Sequence, residues 1–391
     1  MKKSIVRARR LKVAVIHNTI APYRHPLFEG LSKSTDLIVY YCSVKHSSCE
    51  WDLWPRKYNY KYKVLPGISI KILTEELRFN PSMLKEILKS RPNIIIIGGY
   101  TSPTAWFTFA IAKLLKIHVI YWTEGIKEPQ SVLGILTRPL RILFVKETDA
   151  IVVPGRLSRS YVISFGIDAE KIFIAPNAID NDLFIELSRK YQSSKENLKS
   201  QIGLNGKVVI LCVAQLIRRK GIEYLLHAYG KLEQEYNDIA LVLIGSGPLE
   251  LYIKDLATSL HLKFFKIIHS GLSLKELIRF YSIADIFVLP TLEDVWGFVV
   301  NEAMACGLPV VSTQASQAAI ELIHSGENGY IIKAASSDQL YDVLKSLIQN
   351  STLRKEMGEK SRRIAVREVS VLTMVKGFLS AIEYCSKITK K

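Results

Sequence analysis

The chain is 391 residues long and 48% hydrophobic, with 53 Lys and Arg set against 36 Asp and Glu, a formal net charge of +17. That length is too great for one ordinary core and about right for two domains, and the apolar content supports a packed globular protein. Cys42, Cys49, Cys212, Cys306 and Cys385 form no Cys-x-x-Cys pair and have no His partners at zinc-like spacing, so a reduced cytoplasm fits better than a secreted disulfide scaffold.

The chain opens on a basic stretch: six of the first twelve residues are Lys or Arg. No signal-peptide core follows, because the apolar run from Val13 to Ile16 ends at His17-Asn18. The stretch reads as a solvated tail or as an attraction for anionic lipid headgroups, at about 1 kcal/mol per basic residue near a membrane. Nucleic acid is the weakest partner reading, since there is no regular interleaving of Arg and Lys with aromatics.

Short apolar runs then predict strands at 13–17, 37–41, 94–97, 119–121, 150–153 and 172–174, with helical patterns at 26–34, 81–90 and 156–165 among them. Residues 92–112 carry no charge and would pass a naive membrane window. The run from Ile94 to Ile97 is broken by Gly98-Gly99, however, and Ser102-Pro103 is a helix-start signature. The segment therefore reads as a buried strand, a turn and a helix over 103–115. Continuous strand hydrophobicity implies burial on both faces, hence a parallel sheet with helices on each side.

Residues 186–206 are rich in Ser, Lys, Glu and Asn and read as an interdomain crossing. A second α/β run follows, with strands at 208–213, 240–244, 265–268, 286–289 and 310–312, and helices at 222–235, 249–260, 274–282 and after Gly297. The last fifty residues are helical in pattern. The expected fold is thus α/β, with two doubly wound Rossmann-like domains, 1–185 and 207–370, facing a cleft, and a C-terminal helix in 371–391 packing back toward the first domain. Each domain should bind ligand beyond the carboxyl ends of its strands.

Residues 294–310, Asp-Val-Trp-Gly-Phe-Val-Val-Asn-Glu-Ala-Met-Ala-Cys-Gly-Leu-Pro-Val, carry the most chemistry. A helix opening at Gly297 points free N–H groups outward, and its dipole favours an anion there. That is a diphosphate site made of backbone. Glu302 lies further along the same helix, and Asp294 sits upstream on a loop. The pattern suits a phosphate centre with a polyol on each side, as in a nucleotide sugar.

This stretch resembles the signature of the GT4 glycosyltransferases, which have the GT-B fold. The resemblance continues at Val213-Ala214-Gln215-Leu216 through Lys220-Gly221, at Leu243-Ile244-Gly245-Ser246-Gly247-Pro248, and over Tyr281 to Pro290. In the first half it covers Pro176-Asn177-Ala178-Ile179-Asp180 and is otherwise loose. It implies a retaining enzyme that uses a nucleoside diphosphate sugar donor and needs neither metal nor cofactor.

Residue by residue, the resemblance assigns Glu302 to ribose hydroxyls and Asp294 to donor-sugar hydroxyls. The family usually has Glu at the latter position, so neighbouring Glu293 is the alternative. Gly297, Phe298 and Val299 form the phosphate-binding helix start, against the simpler reading of a cap before a buried helix. Lys220 offsets charge gathering on the departing diphosphate. The family's Arg position holds Gln215 here, which leaves Arg219 or Arg218 to supply a second cation, against the reading of a plain surface basic cluster. Gly245 and Gly247 either approach the donor or merely make a tight turn.

In the first half, Glu124 stands where many members have His. It is a candidate base for the acceptor hydroxyl, or a loop residue salt-bridged to Lys127. Tyr23 and Arg24 follow the first strand, where the family often has a Gly-rich loop, and are candidates for phosphate or acceptor contact. A glycan or lipid-linked acceptor, a cytoplasmic location and peripheral attachment to the inner membrane face complete the expectation. The rivals are a GT-B-like epimerase or phosphorylase, and a non-catalytic basic protein that binds membrane or nucleic acid.

Overall fold

The computed structural model describes residues 10–44, 58–72, 75–127 and 137–388, which divide into two compact units, 1–176 with 371–391, and 177–370. In the N-terminal unit the chain runs β1 (Lys12–Thr19), α1 (His25–Ser34), β2 (Asp36–Ser43), β3 (Lys61–Val64) and the antiparallel hairpin β4 (Ile68–Ile72) and β5 (Glu75–Phe79). It continues with α2 (Met83–Ser90), β6 (Ile94–Gly98), α3 (Pro103–Leu114), β7 (His118–Trp122), α4 (Arg138–Lys146), β8 (Ala150–Val153), α5 (Arg156–Ile163) and β9 (Ile172–Ile174). Among the described residues these strands form a seven-stranded parallel sheet in the order β3-β2-β1-β6-β7-β8-β9.

The local reasons are chemical. Ile94 to Ile97 are buried on both faces, so the all-apolar run has no amphipathic alternation to keep. Ser102 caps α3 by accepting the Ala105 N–H, and Pro103 starts the helix where its missing N–H costs nothing. The uncharged stretch is therefore a strand plus a helix. Among the described residues no helix is long and apolar enough to cross a membrane.

The C-terminal unit runs α6 (Asn181–Gln192), α7 (Lys195–Gln201), β10 (Val208–Val213), α8 (Ile222–Glu235), β11 (Ile239–Ile244), α9 (Glu250–Ser259), β12 (Phe265–Ile268) and α10 (Leu274–Ile283). Then come β13 (Ile286–Leu289), α11 (Phe298–Ala305), β14 (Val310–Thr313), α12 (Gln317–Leu322), β15 (Gly329–Ile332), α13 (Ser337–Gln349) and α14 (Ser351–Glu368). Its strands form a parallel sheet in the order β12-β11-β10-β13-β14-β15. Two apolar clusters line its faces, one around Tyr281, Phe287 and Trp296, the other around Leu225, Tyr229 and Leu344.

The boundary differs from the sequence expectation. The chain divides after Pro176, and the polar residues 186–206 are helical and belong to the second unit. Their polarity hides a working inner face. Phe184 and Ser188 are buried, and Lys195 and Lys199 both reach Asp285, at 2.8 and 3.0 Å, at the start of β13. The last helix, α15 (Val371–Lys387), joins the N-terminal unit. Gly377 permits this, because a Cβ there would sit 2.3 Å from the Ile174 carbonyl oxygen, and Phe378 packs edge-on against Trp122 at 4.9 Å. Strands β3, β4, β5 and β15, and helix α12, were not legible as elements in the sequence pattern.

Candidate functional site

In the C-terminal unit the strand order reverses between β10 and β13. Connections leave these two neighbours in opposite directions, which opens a crevice at their carboxyl ends. The loops that follow the two strands are tied together there. The turn Arg218–Lys220 ends at Gly221, whose φ of +60° suits glycine and whose Cβ, if present, would lie 2.3 Å from the Pro290 oxygen. The Arg219 carbonyl accepts from Leu292 N at 2.8 Å, Glu293 N at 3.2 Å and Thr291 Oγ1 at 3.0 Å.

This latch decides which cation enters the site. Lys220 is folded inward and only 8% exposed, and its Nζ donates to Asp294 Oδ2 at 2.5 Å. Arg218 and Arg219 keep exposed side chains, and Arg219 serves the site through its backbone. Of the two neighbouring acids, Asp294 is partly buried and meets Lys220, while Glu293 is exposed. The charged pair is a strong, charge-assisted hydrogen bond in a partly desolvated setting.

Helix α11 begins at Gly297, which has φ +98°. A side chain there would press on Ser316 Oγ at 3.1 Å and Asp294 Oδ2 at 3.4 Å. The preceding turn is rigid: Trp296 Nε1 donates to Asn301 Oδ1 at 2.9 Å, Asn301 Nδ2 donates to the Asn177 oxygen at 3.0 Å, and Ser316 Oγ donates to the Trp296 oxygen at 3.0 Å. Phe298 and Val299 are partly buried and form the first turn of α11, at the positive end of its dipole. At the far end Arg362 donates to the Cys306 oxygen at 2.8 Å and the Ala305 oxygen at 3.3 Å, complementing the negative end of the dipole.

Glu302 lies on the partly buried side of α11, not on an open surface. Burial pushes its carboxyl up from 4.5 to about 7, and a hydrogen bond from Tyr281 Oη to Oε2 at 2.7 Å works in the opposite sense. Tyr281 is itself fully buried, and burial together with the nearby Glu302 drives its phenol well above its ordinary value. Tyr281 was not singled out from the sequence. Its only signal there was its position at the head of the stretch leading into the carboxylate motif.

Gly245 and Gly247 have a packing reason of their own. A Cβ on Gly245 would lie 1.9 Å from the Ala214 oxygen, and one on Gly247 2.5 Å from the Leu216 oxygen. The two backbones are joined by Leu216 N to the Ser246 oxygen at 3.0 Å and Leu249 N to the Leu216 oxygen at 3.0 Å. The glycine turn therefore braces the loop that carries Lys220.

The N-terminal unit brings Glu124 together with Tyr23 and Arg24, which the sequence places on a different loop. Arg24 is buried, forms an ion pair with Glu124, and sets its guanidinium 4.4 Å from the Trp122 ring and 4.9 Å from the Tyr23 ring. They gather at the carboxyl ends of β1 and β7, and β1 adjoins the reversal point of that sheet. Beside them His17 donates from Nδ1 to the Thr19 oxygen at 2.8 Å. Its pKa is pushed down to about 4, first by burial and then by the Arg24 cation, so the ring is neutral near pH 7. His25 is likewise lowered to about 4 by burial and meets Tyr60 Oη at 2.6 Å. Among the described residues no cluster of His, Cys, Asp and Glu has a metal-binding arrangement.

Two units of this topology, with loops converging at the strand reversal, define a glycosyltransferase fold of the GT-B class. The fold is shared with Anabaena Alr3699/HepE, solved in complex with UDP, at a TM-score of 0.76 and 17% identity, covering 95% of this chain and 100% of that one. Residues 194–364 match the model for Glycosyl transferases group 1, and residues 27–183 match that for Glycosyltransferase Family 4. The chain belongs to the GT4 family of glycosyltransferases. Among curated relatives, the GDP-mannose-dependent alpha-(1-6)-phosphatidylinositol monomannoside mannosyltransferase of Mycolicibacterium smegmatis is 25% identical over 69% of this chain and 74% of that protein. Spore coat protein SA of Bacillus subtilis is 31% identical over 49% of this chain, which spans about half, 53%, of that relative.

Proposed function

We propose that this chain is a retaining transferase that moves a sugar from a nucleoside diphosphate donor to the hydroxyl of a glycan or lipid-linked acceptor, in polysaccharide or glycolipid assembly. The observation that carries the reading is the Lys220–Asp294 pair beside the Gly297 helix start, at the strand reversal of the C-terminal sheet. One carboxylate, one cation and a helix N-terminus meet there, and a glycosyl diphosphate needs all three. The Phe298 and Val299 amides and Lys220 hold the diphosphate, and the charge that develops on it as the glycosidic bond breaks strengthens those contacts. Asp294 takes sugar hydroxyls and Glu302 the ribose hydroxyls. A donor phosphate oxygen removes the acceptor proton on the face the leaving group vacates, which gives retention without a metal. Within the N-terminal unit, Arg24, Tyr23 and Glu124 are the residues that contact the acceptor.

The donor is a UDP or GDP sugar. HepE was solved with UDP, and the mycobacterial relative is GDP-mannose-dependent and acts on a phosphatidylinositol mannoside. Thermal-shift screening against UDP, GDP, ADP and dTDP sugars identifies the donor, because ligand at a hundred times its Kd adds about 2.7 kcal/mol. Product analysis by NMR then follows the anomeric configuration. Retained configuration in an acceptor adduct, lost in Lys220→Ala and Glu302→Ala, supports the reading. Conversion of donor without acceptor supports an epimerase, and normal turnover in either variant overturns the site.

A further inference from the structure

Asn301 stands one residue before Glu302 and has no part in the donor contacts proposed above. It is fully buried within α11, where an amide is a poor helix former and is costly to bury without partners. Both ends of the amide are used. Oδ1 accepts from Trp296 Nε1 at 2.9 Å, and Nδ2 donates to the Asn177 oxygen at 3.0 Å. An indole N–H only donates and a carbonyl only accepts, so these partners fix which way the amide faces. The position needs a donor and an acceptor in one short fork. Asp, of the same shape, lacks the donor, and Leu lacks both.

The two partners lie far apart in the chain. Trp296 closes the turn before Gly297, and Ser316 Oγ donates to its carbonyl. Asn177 is the first residue of the C-terminal unit, directly after Pro176, and it is buried. Four residues on, Asn181 Nδ2 donates to the Ala365 oxygen at 2.7 Å and the Val369 oxygen at 3.1 Å, just before the chain leaves the unit after Ser370. The entry and the exit of the chain are thus tied to each other inside the unit. Helix α14, which leads to the exit, also holds the far end of α11 through Arg362. The start of α11 is anchored to the entry through Asn301, and its end to α14.

We infer that Asn301 is a positioning residue that couples the phosphate-binding start of α11 to the backbone at 177–181, so that a nucleoside diphosphate seated at Gly297 is registered at Asn177. The link is short, fully buried and made of two good hydrogen bonds, the setting in which such bonds are strongest. Coupling is reciprocal, so what holds Asn177 in place also strengthens nucleotide binding. The inference rests on the nucleotide reading of the α11 start, and its test separates the two.

The test is hydrogen–deuterium exchange of the full chain with and without UDP and GDP. In the wild type the nucleotide slows exchange over 298–302 and over 177–184. Trp296→Phe/Asn301→Leu replaces both ends of one bond with apolar groups of similar shape, which keeps the fold, and weakens nucleotide binding by roughly fivefold to tenfold. At saturating nucleotide this variant shows slowed exchange over 298–302 alone. Asn301→Asp keeps the acceptor for Trp296 Nε1, loses the donor to Asn177, and shows the same split. Either variant suffices if its melting profile matches the wild type. Nucleotide-dependent protection of 177–184 that persists in the variants overturns the inference, as does its absence in a wild type that binds nucleotide at 298–302. A wild type that binds neither UDP nor GDP overturns the nucleotide reading and the inference with it.

Discussion

Replacing Glu302 with Gln should stabilise the protein and, on the proposed ribose contact, weaken nucleotide binding. In the folded chain burial raises the Glu302 carboxyl from 4.5 to about 7, against the partial relief of the Tyr281 hydrogen bond. A raised carboxyl pKa means that the folded state binds the proton more tightly than the unfolded chain. The cost of burying the charge is therefore absent below about pH 4.5, grows between 4.5 and 7, and is complete above about pH 7. At about 1.36 kcal/mol per unit, the shift corresponds to about 3 kcal/mol. Gln keeps the shape and a carbonyl that accepts from Tyr281 Oη, without the charge. At 2–4 °C per kcal/mol for a unit of this size, Glu302→Gln should raise the melting temperature of the C-terminal unit by roughly 6–12 °C at about pH 8, and by little at about pH 5. Differential scanning calorimetry of both proteins at the two pH values measures this. An equal change at both, or a lower melting point for the variant at the higher pH, would refute the assignment of a strained buried carboxylate. Stability gained at the expense of binding is the usual relation at a functional site.

Three further outcomes follow from the same geometry. If ionised Glu302 accepts ribose hydroxyls, nucleotide affinity falls as the pH drops through about 7, and Tyr281→Phe moves that midpoint upward by removing the one hydrogen bond that favours the carboxylate; titration calorimetry across pH sees no shift if Tyr281 merely packs. Asp294→Asn frees the Lys220 ammonium from its anionic partner, so UDP or GDP should bind at least as tightly while sugar transfer drops by about a hundredfold, and a parallel loss of both would argue that the pair is only structural. Gly245→Ala drives a Cβ to 1.9 Å from the Ala214 oxygen and should cost about 3 kcal/mol in urea unfolding; a neutral substitution would show that the brace on the Lys220 loop is dispensable.

The sheets were legible because burial on two faces leaves a plain mark, an unbroken apolar run such as Ile94 to Ile97 or Ile286 to Leu289. Edge strands carry less of it. β3, Lys-Tyr-Lys-Val, is mostly exposed, and β15 opens on Gly329, whose Cβ would lie 1.9 Å from the Val310 oxygen, so neither spells a strand in residue type alone. The polar stretch at 186–206 misled for a related reason. Lys195 and Lys199 look solvated in sequence, yet they work as buried or half-buried partners of Asp285, ninety and eighty-six residues away. In the site, residue spacing brought out Asp294, Gly297 and Glu302, which lie on one loop and one helix. It could not reveal Tyr281 under Glu302, or Arg24 against Glu124, because those pairs meet only through the sheet. The sequence already favours Lys220 as the cation, with Arg219 or Arg218 as a candidate second; the backbone latch at Arg219 turns Lys220 inward and leaves both arginine side chains exposed.

The central claim is that the start of α11 and Lys220 grip the diphosphate of a sugar donor. A crystal structure of the full chain with a nucleoside diphosphate sugar tests it most directly. The account predicts the distal phosphate within hydrogen-bonding distance of the Phe298 and Val299 amides and of Lys220 Nζ, with Glu302 at the ribose. A donor bound away from Gly297, or one that leaves Lys220 engaged only with Asp294, would contradict it.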